Sequence, residues 1–85
     1  MSKHLSLDGY ERPVKADNKI STDVAALFQT ELGKEVLKYL RSITIESVHG
    51  AGVTDAHLRH MEGQRYIVGV IEQRIKHAHK VKENE

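Results

Sequence analysis

Thr30-Glu31-Leu32-Gly33-Lys34-Glu35-Val36-Leu37-Lys38-Tyr39-Leu40-Arg41-Ser42-Ile43 is the stretch whose reading decides the fold. Val36, Leu37, Leu40 and Ile43 recur at i, i+1, i+4, i+7, the spacing of one face of an α-helix. Lys34, Glu35, Lys38 and Arg41 fall largely on the other face. Thr30 suits an N-cap, with Glu31 in the first turn beside the positive helix end. Upstream, Val24, Leu27 and Phe28 follow at i, i+3, i+4, behind Ser21 or Thr22 as a cap and Asp23 as a first-turn acid. Gly33 is about 1 kcal/mol worse than Ala inside a helix. Residues 23–43 therefore read as a short or split helix. Glu31–Glu35 and Lys34–Lys38 are like-charge i, i+4 pairs, mildly unfavourable. Packing rather than surface pairing must hold this segment.

Residues 44–54 read as a loop. Thr44, Ile45 and Val48 are β-branched, and His49-Gly50-Ala51-Gly52 is a strong loop signal. Thr54 or Asp55 then caps a long helix over about 55–80. Leu58, Met61, Val68, Ile71 and Ile75 line its stripe, Arg65 interrupts it, and Ile67 and Val70 widen it. Gly63 and Gly69 mark a close approach or a bend. The fold class that follows is all-α: a helical hairpin. Its core places Val36, Leu37, Leu40 and Ile43 against Leu58, Met61, Val68, Ile71 and Ile75.

Outward from the hairpin, residues 1–21 read as an extended N-terminal arm. Leu5, Leu7, Tyr10, Val14 and Ile20 are scattered without a period, and Arg12 is pushed away from helix by Pro13. Two readings stand: a frayed terminus, or an arm whose separated apolar residues dock one by one on a neighbouring surface. The organisation is thus an arm (1–21), one small helical domain (22–82) and a frayed C-terminus (83–85).

The chain has 85 residues, 39% hydrophobic and 5% aromatic, with no cysteine, so disulfides and thiolate metal sites are excluded. No apolar run approaches the ~20 residues that span a bilayer, and no signal-peptide pattern opens the sequence. A small soluble domain without a membrane partner is expected. Between residues 20 and 75 only 19 Val, Ile, Leu, Met and Phe are present. So thin a core favours a domain that leans on a partner or on copies of itself.

Catalytic signatures are missing: no Cys nucleophile, no GxSxG elbow, no Gly-rich phosphate loop. No enzyme activity and no cofactor are expected. His57 and His60 stand i, i+3 on a helix, whereas His77 and His79 face apart. A zinc site needs three or four ligands, so solvent-facing histidines are the simpler reading and no metal site is assigned. Residues 56–82 hold six basic residues (Arg59, Arg65, Arg74, Lys76, Lys80, Lys82) and two acidic ones (Glu62, Glu72), a net +4 in a chain whose total is +1. Arg59, Arg74, Lys76 and Lys80 are candidates for neutralising DNA phosphates. The alternative is a solvated face that complements the helix dipole. Arg65, Tyr66 and Arg74, with Leu5, Leu7 and Tyr10 of the arm, are the candidate partner contacts.

Phe28-x-Thr30-x-x-Gly33-x-x-Val36-Leu37-x-x-Leu40, Leu58-Arg59-x-x-Glu62-Gly63-x-Arg65 and Ile71-x-x-Arg74-Ile75 together resemble the Bbp-like family of small tailed-phage proteins. These are typically encoded in head, portal and packaging gene clusters. The resemblance covers roughly residues 27–75 and rests on packing residues. It implies a phage structural or assembly context. With the thin core, the long arm and the exposed arginines, the expectation is a non-enzymatic virion protein of the portal or head–tail neck region, in multiple copies or a ring, docking on the portal or other virion proteins. Host cytoplasm during assembly and the virion afterwards are the expected locations. The alternative is a DNA-binding packaging protein comparable to a small terminase subunit.

Overall fold

The computed structural model describes residues 3–46 and 52–83. Two short strands, β1 (Lys3–Leu5) and β2 (Glu11–Pro13), precede three helices: α1 (Val14–Phe28), α2 (Glu31–Ile43) and α3 (Asp55–Glu83). The architecture is helical and hairpin-like, as the periodicity predicts. Thr30 is the cap of α2: its Oγ accepts the Gly33 N–H at 2.9 Å and donates to the Leu27 carbonyl at 2.9 Å. Gly33 is required there by close approach. A Cβ at this position would lie 2.1 Å from the Leu27 carbonyl oxygen and 2.8 Å from Phe28 Cα. The helix expected over 23–43 is therefore two helices, with the first turn of α2 seated on the last turn of α1. Thr54 caps α3 by accepting the His57 N–H at 3.1 Å.

Partner positions fix the directions. Asp17 meets Arg74, Ser21 meets His77 and Gln29 meets His79, so α1 runs parallel to α3. Arg41 meets Glu72 while Thr44 meets Arg65, so α2 runs antiparallel to α3. The α2–α3 hairpin is present, but α1 packs on α3 more extensively than α2 does. The expected core is corrected accordingly. Met61 and Val68 are buried, and Leu37, Leu40, Ile71 and Ile75 are half-buried. Val36, Ile43 and Leu58 are exposed. The physical reason is that α1, not α2, is the more extensive partner of α3.

The extended arm is also corrected. Residues 3–13 form an antiparallel hairpin with register Lys3↔Pro13, His4↔Arg12 and Leu5↔Glu11. Its turn carries Gly9 at φ +88°, a left-handed conformation that favours glycine. Ser6 N–H donates to the Tyr10 carbonyl at 2.9 Å and Gly9 N–H to the Ser6 carbonyl at 3.0 Å. Pro13 ends β2 and serves as the N-cap position of α1, with φ −60° already suited to a helix start. Residues 14–21, assigned to the arm by sequence, are the first two turns of α1. Ser21 and Thr22 are not caps: Ser21 faces α3, and the Thr22 hydroxyl donates to the Asn18 carbonyl one turn back. Gly63 and Gly69 mark no close approach, since a Cβ at either would meet nothing within 4 Å. Of the expected loop, residues 47–51 lie outside the described residues. Residues 84–85 of the expected frayed terminus do too, and α3 continues to Glu83.

The molecule measures 49 × 32 × 15 Å. Three helices and one short hairpin enclose little interior. Among the described residues only Ala25, Met61 and Val68 are buried apolar ones. The buried polar set is larger: Ser6, Asp17, Ser21, Thr44 and Arg74.

Candidate functional site

Arg74 organises the α1–α3 contact. It projects from the middle of α3, and its side chain is only 2% exposed. Nη1 donates to Asp17 Oδ1 at 2.5 Å, to the Asp17 carbonyl at 3.0 Å and to Ser21 Oγ at 3.0 Å. Nη2 donates to Asp8 Oδ2 at 3.2 Å. Two carboxylates, a carbonyl and a hydroxyl thus satisfy one guanidinium, which a buried charge requires. Asp17 and Ser21 present themselves together because they stand i, i+4 on α1, and Ala25 continues the same face. His4 Nε2 lies 3.3 Å from Asp17 Oδ2.

Ser21 Oγ and His77 Nδ1 are 2.6 Å apart. The imidazole tautomer sets which of the two donates. Ser21 is 0% exposed, so no substrate reaches its oxygen. The pair is a hydrogen-bond lock between α1 and α3. Asp8 ties the N-terminal hairpin into it. Its carboxylate accepts from the Ser6 hydroxyl, from Arg12 Nη2 at 2.7 Å and from the Tyr10 N–H at 3.1 Å. The Ser6 hydroxyl, and then the Arg12 guanidinium, hold the Asp8 carboxyl well below the usual carboxylate range.

The second feature is apolar and open. Leu32, Val36, Tyr39 and Ile43 stand at i, i+4, i+7, i+11 along α2 and are 77%, 44%, 62% and 51% exposed. The stripe borders a groove of about 580 Å³ between α2 and α3, floored by Leu40, Ile43, Ile67, Val68 and Ile71 beside Gly63. Ile67 is itself 59% exposed.

The candidate residues from the sequence fall into three groups. Arg74 is withdrawn as a surface contact and as a phosphate contact: it is interior, because α1 supplies the acceptors that sequence spacing cannot reveal. Arg65 is half-buried and works within the chain. Its Nε donates to the Thr44 carbonyl at 3.1 Å, at the negative end of α2, and Nη1 to Glu62 at 3.1 Å. Tyr66 is exposed, yet its hydroxyl donates to the Asp8 carbonyl at 3.2 Å and holds the hairpin turn over α3. Leu5 and Tyr10 are exposed and Leu7 is half-buried. Arg59, Lys76 and Lys80 are exposed. Among the described residues no three His, Asp or Glu side chains gather as a metal site, and no helix is long and apolar enough to cross a membrane.

Sequence reasoning missed Asp8, Asp17, Ser21 and His77 as a connected set. It also missed the exposure of Leu32 and Tyr39. Asp8-Gly9 was a readable hairpin-turn signal.

Residues 24–84 match the model of the Bbp19-like phage protein family. That span is well over half of the chain, and the chain belongs to this family. It takes in α2, α3 and the last third of α1, and leaves the N-terminal hairpin, Asp17 and Ser21 outside. No curated protein and no solved structure matches the chain.

Proposed function

We propose that this phage protein is a non-enzymatic virion component that docks in multiple copies on the portal or on neighbouring virion proteins of the head–tail neck region. One observation carries the reading: the chain keeps its polar groups inside and leaves its large apolar groups outside. Three apolar residues are buried among the described residues, against eleven exposed large ones, four of them in a single line on α2. A free-standing domain loses stability from such an arrangement, whereas an assembly subunit recovers it at its interface. The arm's part is revised. Leu5 and Tyr10 remain exposed for docking, but on a hairpin already clamped to α3. Mass spectrometry of purified particles tests the proposal. The protein is expected in stoichiometric, multi-copy amounts. Its absence from particles that contain the portal contradicts the reading.

A DNA-binding packaging role is the second reading, and one observation favours it. Lys15 and Lys19 of α1 line the same groove as Lys80 of α3, with Lys76 exposed nearby. These lysines replace Arg74 in that account. Duplex affinity falling steeply with salt, with Lys76→Ala and Lys80→Ala together flattening the slope, would reverse the ranking.

A further inference from the structure

We infer that α2 is a self-association helix, and that two copies of this chain pair antiparallel about a two-fold axis through the Leu32–Val36–Tyr39–Ile43 stripe. The inference deepens the multi-copy reading above and rests on it for its biological setting. The physical case is separate.

The spacing comes first. Intervals of four, three and four residues are those of a two-helix seam, with Leu32 and Tyr39 in one class of position and Val36 and Ile43 in the other. None of the described residues covers that seam, and the neighbouring groove continues it onto Ile67 of α3. Area comes second. At roughly 200 Å² for a large side chain, the exposed fractions leave on the order of 500 Å² of apolar surface per copy. That is at the upper end of the largest patch on an ordinary monomer. Two copies face to face bury about 1,000 Å², the threshold of a specific interface.

Charge selects the partner and its direction. Glu35 stands beside the seam on the side away from the groove and Lys38 further round the same side of α2, and among the described residues neither takes an ion-pair partner within the chain. With the seam centred between Val36 and Tyr39, antiparallel pairing sets Glu35 of each copy within one turn of Lys38 of the other, twice by symmetry. A parallel pair places Glu35 opposite Leu40 and aligns the helix dipoles unfavourably. The like-charge pairs that disfavour α2 as an isolated helix are then partly offset across the interface.

Sedimentation velocity on the full chain tests this. The wild type is expected to sediment at twice the chain mass in the micromolar range. Val36→Glu, at an already exposed position, is expected to sediment as a monomer with unchanged far-UV circular dichroism. Glu35→Lys and Lys38→Glu are each expected to weaken the dimer roughly tenfold, and the double exchange to restore it. A wild type that stays monomeric, a trimer or larger closed ring, a Val36→Glu variant that still dimerises, or a double exchange that fails to rescue each overturns the inference. A monomer that is nevertheless found in particles ends the inference and leaves the virion reading standing. A dimer absent from particles does the reverse.

Discussion

The α1–α3 contact and the outer face of α2 are built on opposite chemistry. Between α1 and α3 a buried guanidinium, carboxylate and hydroxyl are hydrogen-bonded to one another, with the half-buried His77 imidazole and Asp8 carboxylate at their edge. On α2, leucine, valine, tyrosine and isoleucine stand in solvent. The difference teaches how a chain too short to enclose a large core stays folded. The polar lock is directional, fixing which turn of α1 sits on which turn of α3, and the Asp8 carboxylate extends it to the N-terminal hairpin. The apolar stripe is non-directional and is left uncovered by the described residues.

The sharpest way to break the polar side is Arg74→Ala, which leaves the Asp17 carboxylate buried without its cation. It is expected to destabilise the fold by about 3–5 kcal/mol in urea unfolding. Removing residues 2–19 deletes Asp8 and Asp17 together. It is therefore expected to reduce helix content as well as docking, contrary to what a free arm would show. Gly33→Ala comes next. The added methyl meets the backbone of α1, and a loss of ~1–3 kcal/mol is expected in denaturant unfolding. The Leu27–Phe28 backbone would have to shift for it to be neutral.

Acid probes the hairpin end of the lock. The Asp8 pKa is lower in the folded than in the unfolded chain, so its contribution is present above the unfolded value of about 4 and is lost as pH falls below it. The thermal midpoint of the wild type is expected to drop below about pH 4, and that of Asp8→Asn to drop less. The smallest expected effect has the opposite sign. Gly69→Ala, where a Cβ meets nothing, is expected to stabilise by ~0.4–1 kcal/mol without changing sedimentation. A loss there would mean that α3 approaches something closely at this point.

What sequence made legible was local. Thr30 as a cap, Gly33 as a break, Gly52 before α3 and the α2 stripe all follow from residues within a turn or two of each other. The α1–α3 lock was not legible, for two reasons. Its face, Asp17-x-x-x-Ser21-x-x-x-Ala25, has helical spacing but no hydrophobicity, so an apolar-period reading passes over it and places residues 14–21 in an arm. Its partner, Arg74, lies 57 residues away from Asp17 and reads as one more exposed base on a basic helix. The same blindness works in reverse on α2, where a clean apolar stripe reads as core. Only the exposure of Val36 and Ile43 in the folded chain shows that half of it faces outward.

Thermal unfolding as a function of protein concentration tests the contrast most directly, because association through α2 links stability to concentration while the internal lock does not. The wild-type midpoint is expected to rise with concentration. Val36→Glu is expected to give a flat line. Arg74→Ala is expected to lie lower at every concentration with the wild-type slope. A wild-type midpoint independent of concentration, or a Val36→Glu midpoint that still rises, would contradict the assignment of the α2 face to association.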